Sequence, residues 1–154
     1  MKKINKNLFK QSMSKFVTGV TVVTISENGN HIGKTVNSFT ALSLNPPLVL
    51  FSLDNQSSSI KSYKKASKMV INVLSRKQKK LSEYFSLKNI KWENSQKFIL
   101  ENGTPIIKNC IANFSCKKVK IIKQGDHFIF ICKIEKILID NKKKPLIYFN
   151  SKYI

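Results

Sequence analysis

The residues best suited to chemistry in this chain are small hydroxyls and amides, with few strong acids, bases or nucleophiles among them. Between Lys34 and Leu53, Thr35, Asn37, Ser38, Thr40 and Ser43 are interleaved with apolar residues, and Pro46-Pro47 precedes the apolar run Leu48 to Leu53. Proline lacks a ladder donor and fixes its own φ, so the pair belongs at a corner or an edge, which predicts two strands with a corner between them. The first of these strands sets hydroxyls and an amide where a closed sheet usually sets hydrocarbon, the pattern of a polar ligand lying against a barrel wall. Next comes Asp54-Asn55-Gln56-Ser57-Ser58-Ser59, ahead of a short helical segment. Serines at a helix start present hydroxyls and free N–H groups to an anion, although a solvated, over-supplied N-cap has the same sequence.

Other chemistries find little support. His31 and His127 stand at strand starts, and with Cys110, Cys116 and Cys132 they do not form a metal-ligand spacing. Cys116 and Cys132 read as small core hydrophobes, the usual fate of free cysteine. No GxGxxG, Walker loop, GxSxG or HExxH occurs, and carboxylates are too scarce for paired acid/base work. Such a chain leaves the hard chemistry to a cofactor, whose binding needs hydrogen bonds, stacking surface and phosphate contacts.

The elements that would position these residues follow from periodicity. Leu8, Phe9, Met13, Phe16 and Val17 share a helical face that ends before Gly19, predicting a helix lying across a sheet. Val20 to Ile25 and His31 to Val36 flank an Asn28-Gly29 turn and form a hairpin. A helix over Ile60 to Ala66 with a serine N-cap, a strand over Met69 to Leu74 and an amphipathic helix over Lys77 to Ser86, presenting Leu81 and Phe85, come next. Trp92 to Leu100 fits helix or loop, and Gly103-Thr104-Pro105 reads as a turn. Two long strands, Cys110 to Ile122 and His127 to Ile139, are joined through Gln124-Gly125-Asp126. The apolar phase slips between Cys116 and Val119 and again near Glu135, and a slip in a period-two pattern marks a β-bulge. The picture is a small, mostly β, antiparallel barrel with a few short helices, formed as one domain over residues 1–154.

Composition bounds the function further. The net charge is +20, from 28 basic and 8 acidic residues, enough to attract polyanions. Yet Arg76 is the one arginine, the lysines are scattered, and no basic-aromatic strand occurs, so a nucleic-acid-binding barrel is a remote alternative. Three cysteines without a CxxC pattern fit a reducing, cytoplasmic setting. No apolar run has the length of a membrane span, and Phe16 to Ile25 is too interrupted by Thr and Gly for a signal segment.

Several stretches in order resemble the flavin reductase-like family, the small FMN-binding split-barrel reductases that serve two-component monooxygenases. They are Phe16-Val17-Thr18-Gly19-Val20-Thr21-Val22-Val23-Thr24, Thr35-Val36-Asn37-Ser38-Phe39-Thr40 with Ser43, and Pro46-Pro47-Leu48-Val49. Asn72-Val73-Leu74, Gln78 with Leu81, Ser82 and Phe85, Gly103-Thr104-Pro105, Cys116, Gly125-Asp126-His127 and Pro145-Leu146-Ile147-Tyr148-Phe149 continue the series. The resemblance implies a Greek-key split β-barrel, a homodimer, and hydride transfer from NADH or NADPH to FMN or FAD, with an oxygenase or other acceptor downstream. Carried over by position, Thr35, Val36, Asn37 and Ser38 line the isoalloxazine. Ser52, Asn55, Ser57 and Ser58 approach the ribityl and phosphate, and His127 borders the nicotinamide. Lys34, Ala41 and Cys132 depart from residues common in the family. A flavin-binding module with little reductase turnover is the alternative within the same fold.

Overall fold

A computed structural model describes residues 3–88, 90, 92 and 98–154. In chain order the elements are α1 (Lys6–Met13), β1 (Thr18–Gly19), β2 (Thr21–Glu27), β3 (Asn30–Val36), β4 (Thr40–Ser43), β5 (Leu48–Asp54), α2 (Ile60–Lys65) and β6 (Lys68–Val73). A 3-10 turn at Arg76–Gln78 leads into α3 (Lys79–Ser86), then β7 (Phe98–Glu101), β8 (Thr104–Ile107), β9 (Ala112–Gln124), β10 (His127–Ile139), β11 (Ile147–Phe149) and β12 (Lys152–Tyr153). Seven strands form one antiparallel sheet in the order β3-β2-β6-β9-β10-β5-β4, flanked by the small sheets β1-β11-β12 and β7-β8.

The two edges of the main sheet, β3 and β4, are consecutive in sequence and joined by residues 37–39 alone. Laid flat, seven strands at a spacing of ~4.8 Å would put those edges about 29 Å apart. A three-residue link spans at most about 14 Å. The sheet therefore curls enough to bring the linked ends of β3 and β4 within that reach, and the bend at Asn37–Phe39 lies on the seam between them.

Turn chemistry and bulges set this curvature. Asn28 and Gly29 both take positive φ, the signature of a type I′ turn, and β2 pairs with β3 from Glu27↔Asn30 to Thr21↔Val36 as expected. The β9–β10 register shifts between Ile131 and Cys132, where Val119 is the extra residue, and between Ile134 and Lys136, where Glu135 is. These are the two phase slips visible in the sequence. Pro46 and Pro47 lie in the corner between β4 and β5.

Inside the curl, Val23, Ile25, Phe51, Tyr63, Ile71, Met69 and Phe130 are fully buried. Phe51 and Phe130 stack at 5.1 Å, and the Tyr63 hydroxyl donates to the Val23 carbonyl at 2.7 Å, fastening α2 to the core. A second cluster, including Val20, Val22, Leu74 and Phe85, forms where α3 covers the outer face of β2. Because both faces of β2 are covered, Thr21 to Ile25 are buried without alternation.

Five expectations need correction. Helix α1 ends at Met13, because the Ser14 hydroxyl turns back to the Gln11 carbonyl and competes with the helical ladder, so Phe16 and Val17 lie beyond it and Gly19 is in β1. None of its residues is buried, so it does not lie across the sheet as expected. The polar stretch before the prolines is not one strand, since the seam divides it between β3 and β4. The turn near Gly103 is Asn102-Gly103, both at positive φ, and Thr104 and Pro105 belong to β8, whose missing ladder donor costs nothing in a two-stranded sheet. In the ambiguous region, Phe98–Glu101 is strand β7, and residues 93–97 lie outside the described set.

Candidate functional site

At the seam, the bend after β3 faces α1 across a cleft of about 820 Å³. This is within the roughly 300–1,000 Å³ of small-molecule sites. Asn37, Ser38 and Thr40 form one wall, Phe9, Met13 and Phe16 another, with Thr18 and Tyr148 between them. Lys10 lines the cleft and among the described residues no carboxylate does, so its field favours an anionic ligand.

Ser38 is the brace of the seam. Its hydroxyl donates to the Ser52 carbonyl at 3.1 Å and accepts from the Ser52 N–H at 2.9 Å, so one side chain stands in for the missing ladder between the bend and β5. Two residues farther along β5, on the same face, Asp54 pairs in register with His127. The Asn55 N–H donates to the Asp126 carbonyl at 2.9 Å, and the Ser57 and Ser59 hydroxyls lie 3.3 Å apart. The loop at 54–59 and the turn at 125–127 thus form a second patch beside the cleft, with β5 connecting them.

His127 opens β10 after Gly125, whose φ of +58 suits the first central position of a tight hairpin. Its Nδ1 is 2.7 Å from an Asp126 carboxylate oxygen. With Nδ1–H donating to the carboxylate, Nε2 remains for a ligand. The hydrogen bond to His127 holds the Asp126 carboxyl below the usual carboxylate range.

Of the nine residues expected at the site, Asn37 and Ser38 line the cleft and Ser52 meets it through Ser38. Asn55, Ser57, Ser58 and His127 belong to the adjoining loop and turn. Thr35 and Val36 serve differently. The Thr35 hydroxyl donates to the Ser82 carbonyl of α3 at 2.7 Å, and Val36 is buried in the core. Beside them the Lys34 ammonium donates to the carbonyls of Ser86 and Leu87 at 3.1 and 3.0 Å, capping α3, and partial burial lowers its pKa. Lys34 and Thr35 together fix α3 against β3. Gly33 makes that approach possible, since a Cβ there would stand 2.6 Å from the buried Phe85 ring. Gly33→Ala should destabilise the protein by about 1–3 kcal/mol through overpacking, read as a lowered urea midpoint.

Sequence reasoning missed the wall built by Phe9, Met13 and Phe16. These side chains are more than half exposed, and the only signal for them was an apolar helical stripe, which usually means core. It also missed Thr18, whose hydroxyl oxygen is buried without a hydrogen-bond partner. An orphaned polar atom beside a cleft fits a ligand that carries hydrogen-bonding groups, as a flavin ring does along its polar edge.

The model of the flavin reductase like domain matches residues 13–154, covering the seam, β5, the serine loop and the His127 turn. The chain belongs to this family. Among similar flavin reductases is the FMN reductase (NADH) SmoA of Agrobacterium fabrum, 37% identical over 127 residues, which are 82% of this chain and 73% of that protein. The reductase subunit HsaB of a flavin-dependent monooxygenase from Mycobacterium tuberculosis is 32% identical over 158 residues, 97% of this chain and 82% of that one. Among solved structures, the flavin reductase PheA2 in its native state superimposes with a TM-score of 0.90 at 36% identity, covering 98% of this chain and 97% of the other. The likeness thus covers a mostly β antiparallel fold and its seam together.

Proposed function

We propose that this flavin reductase-like chain is an NADH:flavin oxidoreductase that reduces FMN and passes reduced flavin to an oxygenase. The observation that carries this reading is the seam cleft, polar on the Asn37–Ser38 side and apolar on the α1 side, in a chain of this family. Flavin, when bound, supplies the chemistry by accepting hydride from the nicotinamide. The protein's part is placement. Asn37, Ser38 and the unpartnered Thr18 hydroxyl would hold the ring edge, and Phe9 and Phe16 would cover its apolar part. Ser52, Asn55, Ser57 and Ser58 would receive the ribityl and phosphate, and Val36 and Thr35 would hold the strand that backs the ring. His127, directed by Asp126, would orient the nicotinamide from the neighbouring patch.

A homodimer fits the exposed apolar residues Phe9, Met13, Phe16 and Val17, which a second copy would cover beside the cleft. The three free, buried cysteines support a cytoplasmic setting, and among the described residues no helix is long and apolar enough to cross a membrane. NADH oxidation by the purified protein tests the reading. Turnover that requires added FMN is expected, and oxidation no faster than background with FMN or FAD would leave a flavin-binding module without reductase activity. His127→Ala should raise the KM for NADH roughly tenfold, the equivalent of one hydrogen bond of about 1.4 kcal/mol, with FMN affinity unchanged. Unchanged steady-state kinetics would remove His127 from the nicotinamide site.

A further inference from the structure

A second cleft, of about 750 Å³, lies beside the start of α3, between Arg76–Gln78 and the segments at 107–109 and 142–144, and shares no described lining residue with the seam cleft. Its rim carries six cations, Arg76, Lys77, Lys108, Lys142, Lys143 and Lys144, and among the described residues no carboxylate lines it. Leu81 and Ile107 supply an apolar floor. The three chain segments that bear the cations are tied to one another by hydrogen bonds to the backbone. The Arg76 N–H donates to the Lys144 carbonyl at 2.8 Å, Ser75 and Pro145 form an antiparallel bridge, and the Gln78 amide donates to the Lys108 carbonyl at 2.9 Å. A carboxylate behind the rim steadies one of the lysines, since Asp140 pairs with Lys143 at 2.8 Å. The charges are therefore gathered by the fold around a concave space, and apart from Lys143 none of the six has an ion-pair partner among the described residues.

We propose that this cleft is a second ligand site, distinct from the flavin site, that takes a small polyphosphate anion, either free or carried by a nucleoside. Cations from three directions suit a ligand with several negative oxygens, and lysine binds phosphate as a point charge. The apolar floor suits a base or other flat organic group, and the volume is that of a small-molecule site. A nucleic-acid strand would instead need an extended basic track with aromatic platforms, and no aromatic residue lines this cleft.

Calorimetric titration of the whole protein with ATP, inorganic tripolyphosphate and adenosine tests the proposal at about 0.15 M salt, where diffuse attraction is screened beyond about 8 Å. Two triple variants each lose three positive charges. One is Arg76→Gln/Lys108→Gln/Lys142→Gln in the cleft, and the other is Lys117→Gln/Lys120→Gln/Lys123→Gln at exposed positions of β9. The expected result is one-to-one binding of ATP or tripolyphosphate but not adenosine, weakened at least about tenfold in the cleft variant and under about twofold in the β9 variant. ATP binding tighter than tripolyphosphate identifies a nucleotide, and equal binding identifies the polyphosphate alone. Equal loss in both variants, displacement of ATP by FMN, or binding of an oligonucleotide but not of ATP would overturn the proposal. FMN-dependent NADH oxidation by the cleft variant is expected at the parent rate, which separates failure here from failure of the flavin reading.

Discussion

Asn72→Ala should lower the stability of the protein by about 2–6 kcal/mol, at about 1–3 kcal/mol for each of two buried N–H donors left without an acceptor, one on the Ile107 backbone and one on the Asn113 amide. Asn72 is fully buried, and every hydrogen-bonding position of its amide is used. Its nitrogen donates to the Val22 carbonyl at 2.8 Å and the Thr24 hydroxyl at 3.1 Å. Its oxygen accepts from the Ile107 N–H at 2.9 Å and the Asn113 amide at 2.8 Å. One side chain on β6 thereby ties β2, β8 and β9 together in a place that water does not reach. Alanine would orphan the Ile107 donor and leave the Asn113 amide with the Ile107 carbonyl alone. Urea unfolding should show a lower midpoint at constant m, and a change below about 0.5 kcal/mol would mean that the network re-pairs or takes in water.

Ser38→Ala should act on the ligand more than on the fold. The hydroxyl is both donor and acceptor for the Ser52 backbone across the seam. Its loss removes two hydrogen bonds at about 0.5–1.5 kcal/mol each, so the bend carrying Asn37 loosens from β5 and FMN affinity falls by roughly 5- to 100-fold. The seam is half-exposed, so water replaces part of what is lost and the midpoint of unfolding moves less than for Asn72→Ala. FMN quenching on titration reads the affinity directly. Equal affinity in the variant and the parent would place the ring away from this bend.

Much of the fold was legible because local chemistry decides it. Asn28-Gly29 permits the two positive φ values of its turn, Pro46-Pro47 can only sit at a corner, and the extra residues Val119 and Glu135 displace an alternation that is easy to follow. Features that depend on distant partners were not legible. Nothing near Lys34 shows that β3 must stop at Val36, because the stop is imposed by the curl that brings β3 to β4. An apolar stripe on α1 carries the same pattern whether it meets a core or lines a cleft.

The site was legible in part for a related reason. A hydroxyl in the sequence does not show whether its partner is a ligand or the chain itself. Asn37 and Ser38 came out at the cleft, whereas Thr35 gives its hydroxyl to α3. Thr18 was read for its place in a family pattern, and only the folded chain shows its oxygen buried without a partner. The scattered basic residues looked like a uniform coat until Arg76, Lys108 and Lys142 were brought around one cleft by the ends of β6, β8 and β10.

The α1 wall of the seam cleft is tied to the far end of the described chain. The Asn150 N–H donates to the Ser14 carbonyl, and the Lys15 ammonium reaches the Asn150 side chain across 135 positions of sequence. Contacts between such remote segments are among the last to form, since the loop they close is the longest. The cavity is therefore completed late, and a ligand that needs it can act only on molecules already folded. If flavin occupies this cleft as proposed, its loading is expected to follow folding, so the two hydrophobic clusters must hold the apoprotein together on their own.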